Sequence, residues 1–192
     1  MAFKISIVKD QEIVWDSYYV GKITCYPFET RDYKPYAQVI LCYLPGRGFA
    51  LRMWAFETHP VCEVRHPAKE LLTDSVLAFR IQFDPAHSEE VLYAAFNRDG
   101  VVYANFTPDE VKPFEGEDLQ GVYWGVQLII PEDQIEKHVP RRSFAPGDRL
   151  RGNFYKLCLG SRPHQGSWVQ LRQPTANLFD SNEFDDLILI DY

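Results

Sequence analysis

Val91-Leu92-Tyr93-Ala94-Ala95-Phe96-Asn97-Arg98-Asp99-Gly100-Val101-Val102-Tyr103-Ala104-Asn105-Phe106 is the stretch that decides the fold class. Two short runs of β-branched, aromatic and small apolar residues flank Asp99-Gly100, a pair that tolerates the positive φ of a tight turn, so the stretch predicts a β-hairpin. Upstream, Leu77, Phe79, Ile81 and Phe83 alternate with Ala78, Arg80 and Gln82. Period-two alternation predicts a half-buried strand whose Arg and Gln face is the wetter one. Further upstream, residues 39–44 run into Pro45-Gly46-Arg47-Gly48 and residues 49–56 follow directly, which predicts a second hairpin.

Downstream, residues 122–130 read as a strand. Pro131 stands at a first helical position and is followed by Glu132 and Asp133, where carboxylates favour the positive helix end, so one short helix is expected over 131–138. Residues 140–147 form a basic, proline-containing loop, and 150–159, 168–171 and 187–190 supply further strands. Other helix signals are sparse and no repeats occur. The expected fold class is all-β, an antiparallel β-sandwich with one short helix. A chain of 192 residues, 46% of them hydrophobic and 15% aromatic, can bury a core and is expected to form a single domain over 1–192.

Composition excludes several functions. A net charge of −7, with Lys and Arg scattered, opposes binding to a phosphate backbone, so nucleic acid is not an expected partner. No apolar run approaches the roughly 18 residues of a spanning helix, so no membrane is expected either. Residues 1–10 lack the apolar core of a secretory signal, which reads as a cytoplasmic protein. Cys25, Cys42, Cys62 and Cys158 are widely spaced and read as buried free thiols.

Catalytic signatures are missing. There is no Gly-x-Ser-x-Gly elbow, and His59, His66, His87, His138 and His164 include no close pair, so neither hydrolase nor metal chemistry is expected. Gly46-Arg47-Gly48 lacks the rest of a dinucleotide fingerprint and reads as a hairpin turn, so no cofactor is expected. Glu89-Glu90, Asp109-Glu110, residues 115–118 and Asp185-Asp186 fall near turns, where solvated charge is the ordinary explanation, and a glycosidase pair is set aside. The chain is expected not to be an enzyme. Aromatics beside polar residues in the final third suit carbohydrate recognition, in which sugar C–H faces pack on a flat ring and fixed polar groups bond the hydroxyls.

Gly152-Asn153-Phe154-Tyr155-Lys156, then Pro163-His164, then Gly166-Ser167-Trp168 resemble the closing motifs of the family 9 carbohydrate-binding modules and their stand-alone relatives. Residues 48–53 with Phe56-Glu57 and Pro60, Asp74-Ser75-Val76, Trp124-Gly125-Val126 and Ile130-Pro131 resemble earlier strand motifs of that family, so the resemblance runs from about Ala37 to Ile190. It implies a β-sandwich that holds a mono- or oligosaccharide between two tryptophans, with charged and amide side chains bonding its hydroxyls.

Carried over residue by residue, the resemblance makes Trp168 the family's late tryptophan, with His164 and Gln165 as hydrogen-bonding neighbours, and puts Arg98 in the hairpin region where relatives place a sugar-contacting arginine. Asn153, Tyr155 and Lys156 are expected to orient the final loops. A core role for Trp168 is the alternative. The chain departs from the pattern at Leu77, where the family has a glutamate, at Leu71-Leu72, where some members carry the first sandwiching tryptophan, and at residues 178–182. Trp54 or Trp124 could replace the missing platform if its ring points outwards, whereas Trp15 has no assigned role. The competing expectation is an interaction or scaffold domain whose cleft has filled with Leu71, Leu72 and Leu77, betrayed by a surface apolar patch or a stable oligomer.

Overall fold

In the computed structural model the described residues are 2–9, 12–140, 143–173 and 183–191. They form β1 (Phe3–Ile7), β2 (Gly21–Ile23), β3 (Ala37–Leu44), β4 (Gly48–Phe56), β5 (Val76–Gln82), β6 (Leu92–Phe96), β7 (Val102–Ala104), β8 (Asp109–Asp118), β9 (Gly121–Pro131), α1 (Glu132–His138), β10 (Arg149–Cys158), β11 (His164–Ser167) and β12 (Asp185–Asp191). The strands belong to one sheet in the order β7-β6-β5-β10-β12-β1-β3-β4-β9-β8, with β11 on β10 and β2 on β3 off that path.

Both expected hairpins form. In β3–β4 the register closes at Leu44↔Gly48, and Gly46 and Gly48 take φ of 79° and 135°. Any side chain at Gly48 would also run into the backbone of Ile130 and Pro131, so that turn needs glycine twice over. In β6–β7 the register closes at Phe96↔Val102, and Gly100 has φ 77°. The Asn97 side-chain carbonyl accepts from the backbone N–H of Asp99 and Val101, which fixes the turn. The short helix also forms. Pro131, at φ −67° and ψ 146°, caps it from outside, and the helix begins at Glu132. No helix among the described residues is long and apolar enough to cross a membrane.

The antiparallel sandwich needs correction. β1 pairs parallel with β12 on one side, from Phe3↔Leu187 to Ile7↔Asp191, and parallel with β3 on the other. The sheet is therefore mixed and continuous, and it curls on itself. Arm β7-β6-β5-β10 faces arm β3-β4-β9-β8 across one core, in which Phe3 meets Phe154 and Phe49 meets Phe83, each pair with ring centroids 5.0 Å apart. The free ends of the two arms approach at the β6–β7 turn, where Arg98 forms an ion pair with Glu115 of β8.

Two local expectations also change. The strand expected over 168–171 lies earlier, as β11, paired with β10 from Cys158↔His164 to Tyr155↔Ser167. β5 is buried on both faces, including Arg80 and Gln82 at 6% and 5% exposure: the Arg80 guanidinium lies 5.3 Å from the Phe184 ring, the Gln82 amide donates to the Ser88 carbonyl, and Val64, Leu71 and Leu72 from the segment 59–73 cover Ala78. That cover is pinned by Asp74, whose carboxylate accepts from the backbone N–H of Glu63 and Val64 and from the Asn97 side-chain amide. Leu71, Leu72 and Leu171 then pack on Ala78, Ala95 and Tyr155 beneath.

Candidate functional site

Alternation along β4 sends Leu51, Met53 and Ala55 into the core and Arg52, Trp54 and Phe56 to the outer face of the arm. On that outer face the Arg52 guanidinium lies among three rings, 4.7 Å from the centroid of Phe114, 5.5 Å from Trp54 and 6.0 Å from Trp15. These are cation–π distances. Gly125, between Trp54 and Phe114 in register, makes the arrangement possible, since a Cβ there would strike both neighbours. Trp15 arrives from a short 3₁₀ turn, Trp15–Ser17, and packs with Ile13 and Tyr18 against Ile40, Ala50 and Ile129.

Beside this cluster opens a groove of about 270 Å³, close to the lower end of ordinary ligand pockets. Trp15 and Ile129 supply apolar wall, and Arg47, Glu110, Lys112 and Gln127 supply polar groups. Glu110 forms ion pairs with Arg47, from the β3–β4 turn, and with Lys112 at 3.3 Å. Arg52, Gln127 and Lys112 stand in one cross-strand row, so the polar floor follows from the register of three strands. An aromatic wall beside charged and amide groups can stack a flat apolar surface and bond hydroxyls around it.

A second polar cluster is buried inside the fold. Glu57, at 5% exposure, accepts from Tyr33 Oη at 2.5 Å and Ser75 Oγ at 3.1 Å on one oxygen, and from Trp124 Nε1 at 3.2 Å and Lys156 Nζ at 3.1 Å on the other. Burial pushes its pKa up, but the Lys156 charge and the Tyr33 hydrogen bond outweigh it and hold the carboxyl below its usual range. Burial lowers the Lys156 pKa, with Glu57 opposing. His164 Nε2 sits 2.8 Å from Lys156 Nζ, and Nδ1 sits 2.8 Å from the carbonyl of Arg162. An ammonium can only donate, so Nε2 accepts and the Nδ1–H donates to Arg162. Burial and the Lys156 charge keep this imidazole neutral, its pKa lowered to about 4.

Glu57 lines a hollow of about 50 Å³ together with Arg98, Glu115, Tyr123 and Trp124. That volume suits a few waters rather than a ligand ring. With two donors on each oxygen, the carboxylate has spent its acceptor capacity on the protein. The cluster ties the end of β4 and the start of β5 to β9 and β10. Among the described residues no three His, Cys, Asp or Glu side chains gather as a metal site.

No family model matches the sequence, and no curated protein does. Solved structures do match along the whole chain. A candidate carbohydrate-binding protein from Bacteroides uniformis superposes with a TM-score of 0.71 at 18% identity, covering 98% of each chain. A family 9 carbohydrate-binding module from Caldicellulosiruptor kristjanssonii in complex with glucose superposes with a TM-score of 0.63 at 12% identity, covering 100% of this chain and 97% of that one. A structure of a family 9 module from the same organism with cellotriose gives 0.64 at 10% identity, covering 100% and 95%. The fold is that of a family 9 carbohydrate-binding module.

On this family 9 fold the residues expected to bind fall in two regions, Trp168, Gln165, His164 and Arg98 on or around the Glu57 network and β11, and Trp54 on the outer face of β4. His164 and Gln165 stand on β11, and His164, at 2% exposure, has both ring nitrogens engaged within the protein. Trp168 is half-buried and packs at near right angles on Phe3, with centroids 5.6 Å apart, and against Phe154. Arg98 is exposed in its turn and lines the small hollow. Trp54 lies on the outer face beside Arg52, and Trp124 is buried and bonded to Glu57. Asn153 ties the chain's last loops, donating to the carbonyls of Val169 and Glu183. Leu77 belongs to the main core, and Leu71 and Leu72 to the second cluster, all covered by the chain itself. The departure at 178–182 lies outside the described residues.

Sequence reasoning missed Trp15, Glu57 and Tyr33 as contributors. Trp15 and Tyr33 lie in irregular segments without strand periodicity, so nothing local announces which sheet face they cover. The thiols of Cys42 and Cys158 are buried as expected, whereas Cys25 and Cys62 are half-buried, and all four are free.

Proposed function

We propose that the chain is a non-catalytic carbohydrate-binding protein, acting as one unit, which seats a mono- or oligosaccharide in the groove on the outer face of β4, β9 and β8. Trp15 offers the apolar wall for a sugar's C–H face, and Trp54 extends the aromatic surface around Arg52. Gln127, Arg47, Glu110 and Lys112 bond the hydroxyls. The observation that carries this reading is the groove itself, with aromatic and polar groups converging in about 270 Å³. Its placement on a fold shared with modules solved in complex with glucose and with cellotriose adds to it.

Calorimetric titration with glucose and cellotriose tests the proposal. Binding of modest affinity is expected, and Trp15→Ala should weaken it roughly tenfold, about 1.4 kcal/mol, as expected for loss of an aromatic stacking surface. Absence of heat at millimolar sugar, or undiminished binding in Trp15→Ala, would sink it.

A further inference from the structure

The edge strand β8 carries a local distortion that bears on the groove. From Asp118↔Gly121 back to Lys112↔Gln127 it pairs with β9 in step, and then the register shifts between Lys112 and Asp109. Within that bulge Glu110 has φ 49°, the only positive φ at a non-glycine among the described residues. Glutamate gains little locally from the left-handed region, and residues held there cluster where a side chain must be aimed. Here the aimed group is a carboxylate at the groove wall, with one oxygen on Arg47 and the other 3.3 Å from Lys112 Nζ. One acid thereby serves both cations of the groove. Glu12 adds a second acid, so two acidic and two basic side chains line the groove and cancel.

We infer that Glu110, positioned by the bulge, is the specificity-determining residue of the groove and acts as a charge filter against anionic saccharides. A uronate entering the groove meets cations already engaged and a carboxylate facing its own. The net charge of −7 opposes its approach as well. The inference rests on the saccharide reading of the groove, and extends it by naming what enforces the choice.

The test compares cellotriose with trigalacturonate on the wild type, Glu110→Gln and Glu110→Asp, with thermal melts to verify folding. The ratio of trigalacturonate to cellotriose affinity should rise roughly five- to tenfold in Glu110→Gln, the factor expected for removing a unit charge at about 4 Å in water. The gain should fade in high salt. Glu110→Asp keeps the charge, tolerates positive φ, and should keep the exclusion. An unchanged ratio in Glu110→Gln, or a wild type that takes both sugars equally, would overturn the filter while leaving cellotriose binding intact. If only Glu110→Gln binds trigalacturonate and no protein binds cellotriose, the filter stands and the assignment of neutral saccharides falls. Silence of all three proteins towards both sugars overturns both.

Discussion

Lys156 is wholly buried, and it survives there because Glu57 takes its charge and His164 takes a hydrogen bond. Removing one member of such a pair leaves an uncompensated buried charge, typically 3–5 kcal/mol. The imidazole adds a pH dependence. His164 in the fold titrates at about 4 against an ordinary 6.5, so between those values the unfolded chain binds the extra proton and the folded one does not. Stability is therefore full above pH 6.5 and declines as pH falls towards 4, by on the order of 3 kcal/mol for a shift of this size. Urea unfolding at a series of pH values should show that slope, and His164→Gln should flatten it. A wild type with equal stability at pH 4.5 and 6.5 would contradict the neutral state assigned to this buried imidazole. None of this network was legible in the sequence, where His164 reads as a hydrogen-bonding neighbour of a sugar. Lys156 and His164 meet across the β10–β11 hairpin, but Glu57, just past β4, reaches them only through the curl of the sheet.

At the scale of elements, the hairpins were legible because their turn chemistry is local. Asp99-Gly100 and Gly46-Arg47-Gly48 carry the positive φ values that close the β6–β7 and β3–β4 turns. Gly48→Ala should cost at least about 2 kcal/mol, because it combines an unfavourable φ with a clash against the Ile130 backbone, whereas Gly46→Ala has open space and should cost less. Equal melting temperatures for the two variants would refute that ranking. β8 escaped notice because Asp109–Asp118 carries charges and Pro113, the composition of a protected edge rather than of a buried strand. β5 was read with one wet face because alternation records which residues are polar. It cannot foresee the separate segments that cover that face, Leu71 and Leu72 over Ala78, Phe184 beside Arg80 and Ser88 on Gln82.

At the scale of the whole molecule, strand direction was the part that could not be read. β1 lies between β12 and β3, parallel to both, and no turn joins it to either, so no local signal reports its orientation. The same long-range pairing merges what would be two sheets into one curled sheet. Leu71 and Leu72, which the competing expectation takes as the filling of a lost cleft, pack on β5, β6 and β10 within the chain. The outer face of β4, β9 and β8 retains a groove, and the tryptophan at its wall, Trp15, had no role in the sequence reading. Trp168, the expected platform, packs on Phe3 and Phe154. The four indoles of the chain thus occupy distinct environments, which makes them reporters of where a sugar lands. An NMR titration with cellotriose that follows the four indole N–H resonances reports which face of the sheet takes the sugar. Trp15 should move most, Trp54 should follow, and Trp124 and Trp168 should stay still; no movement at millimolar cellotriose, or movement confined to Trp168, would contradict the account.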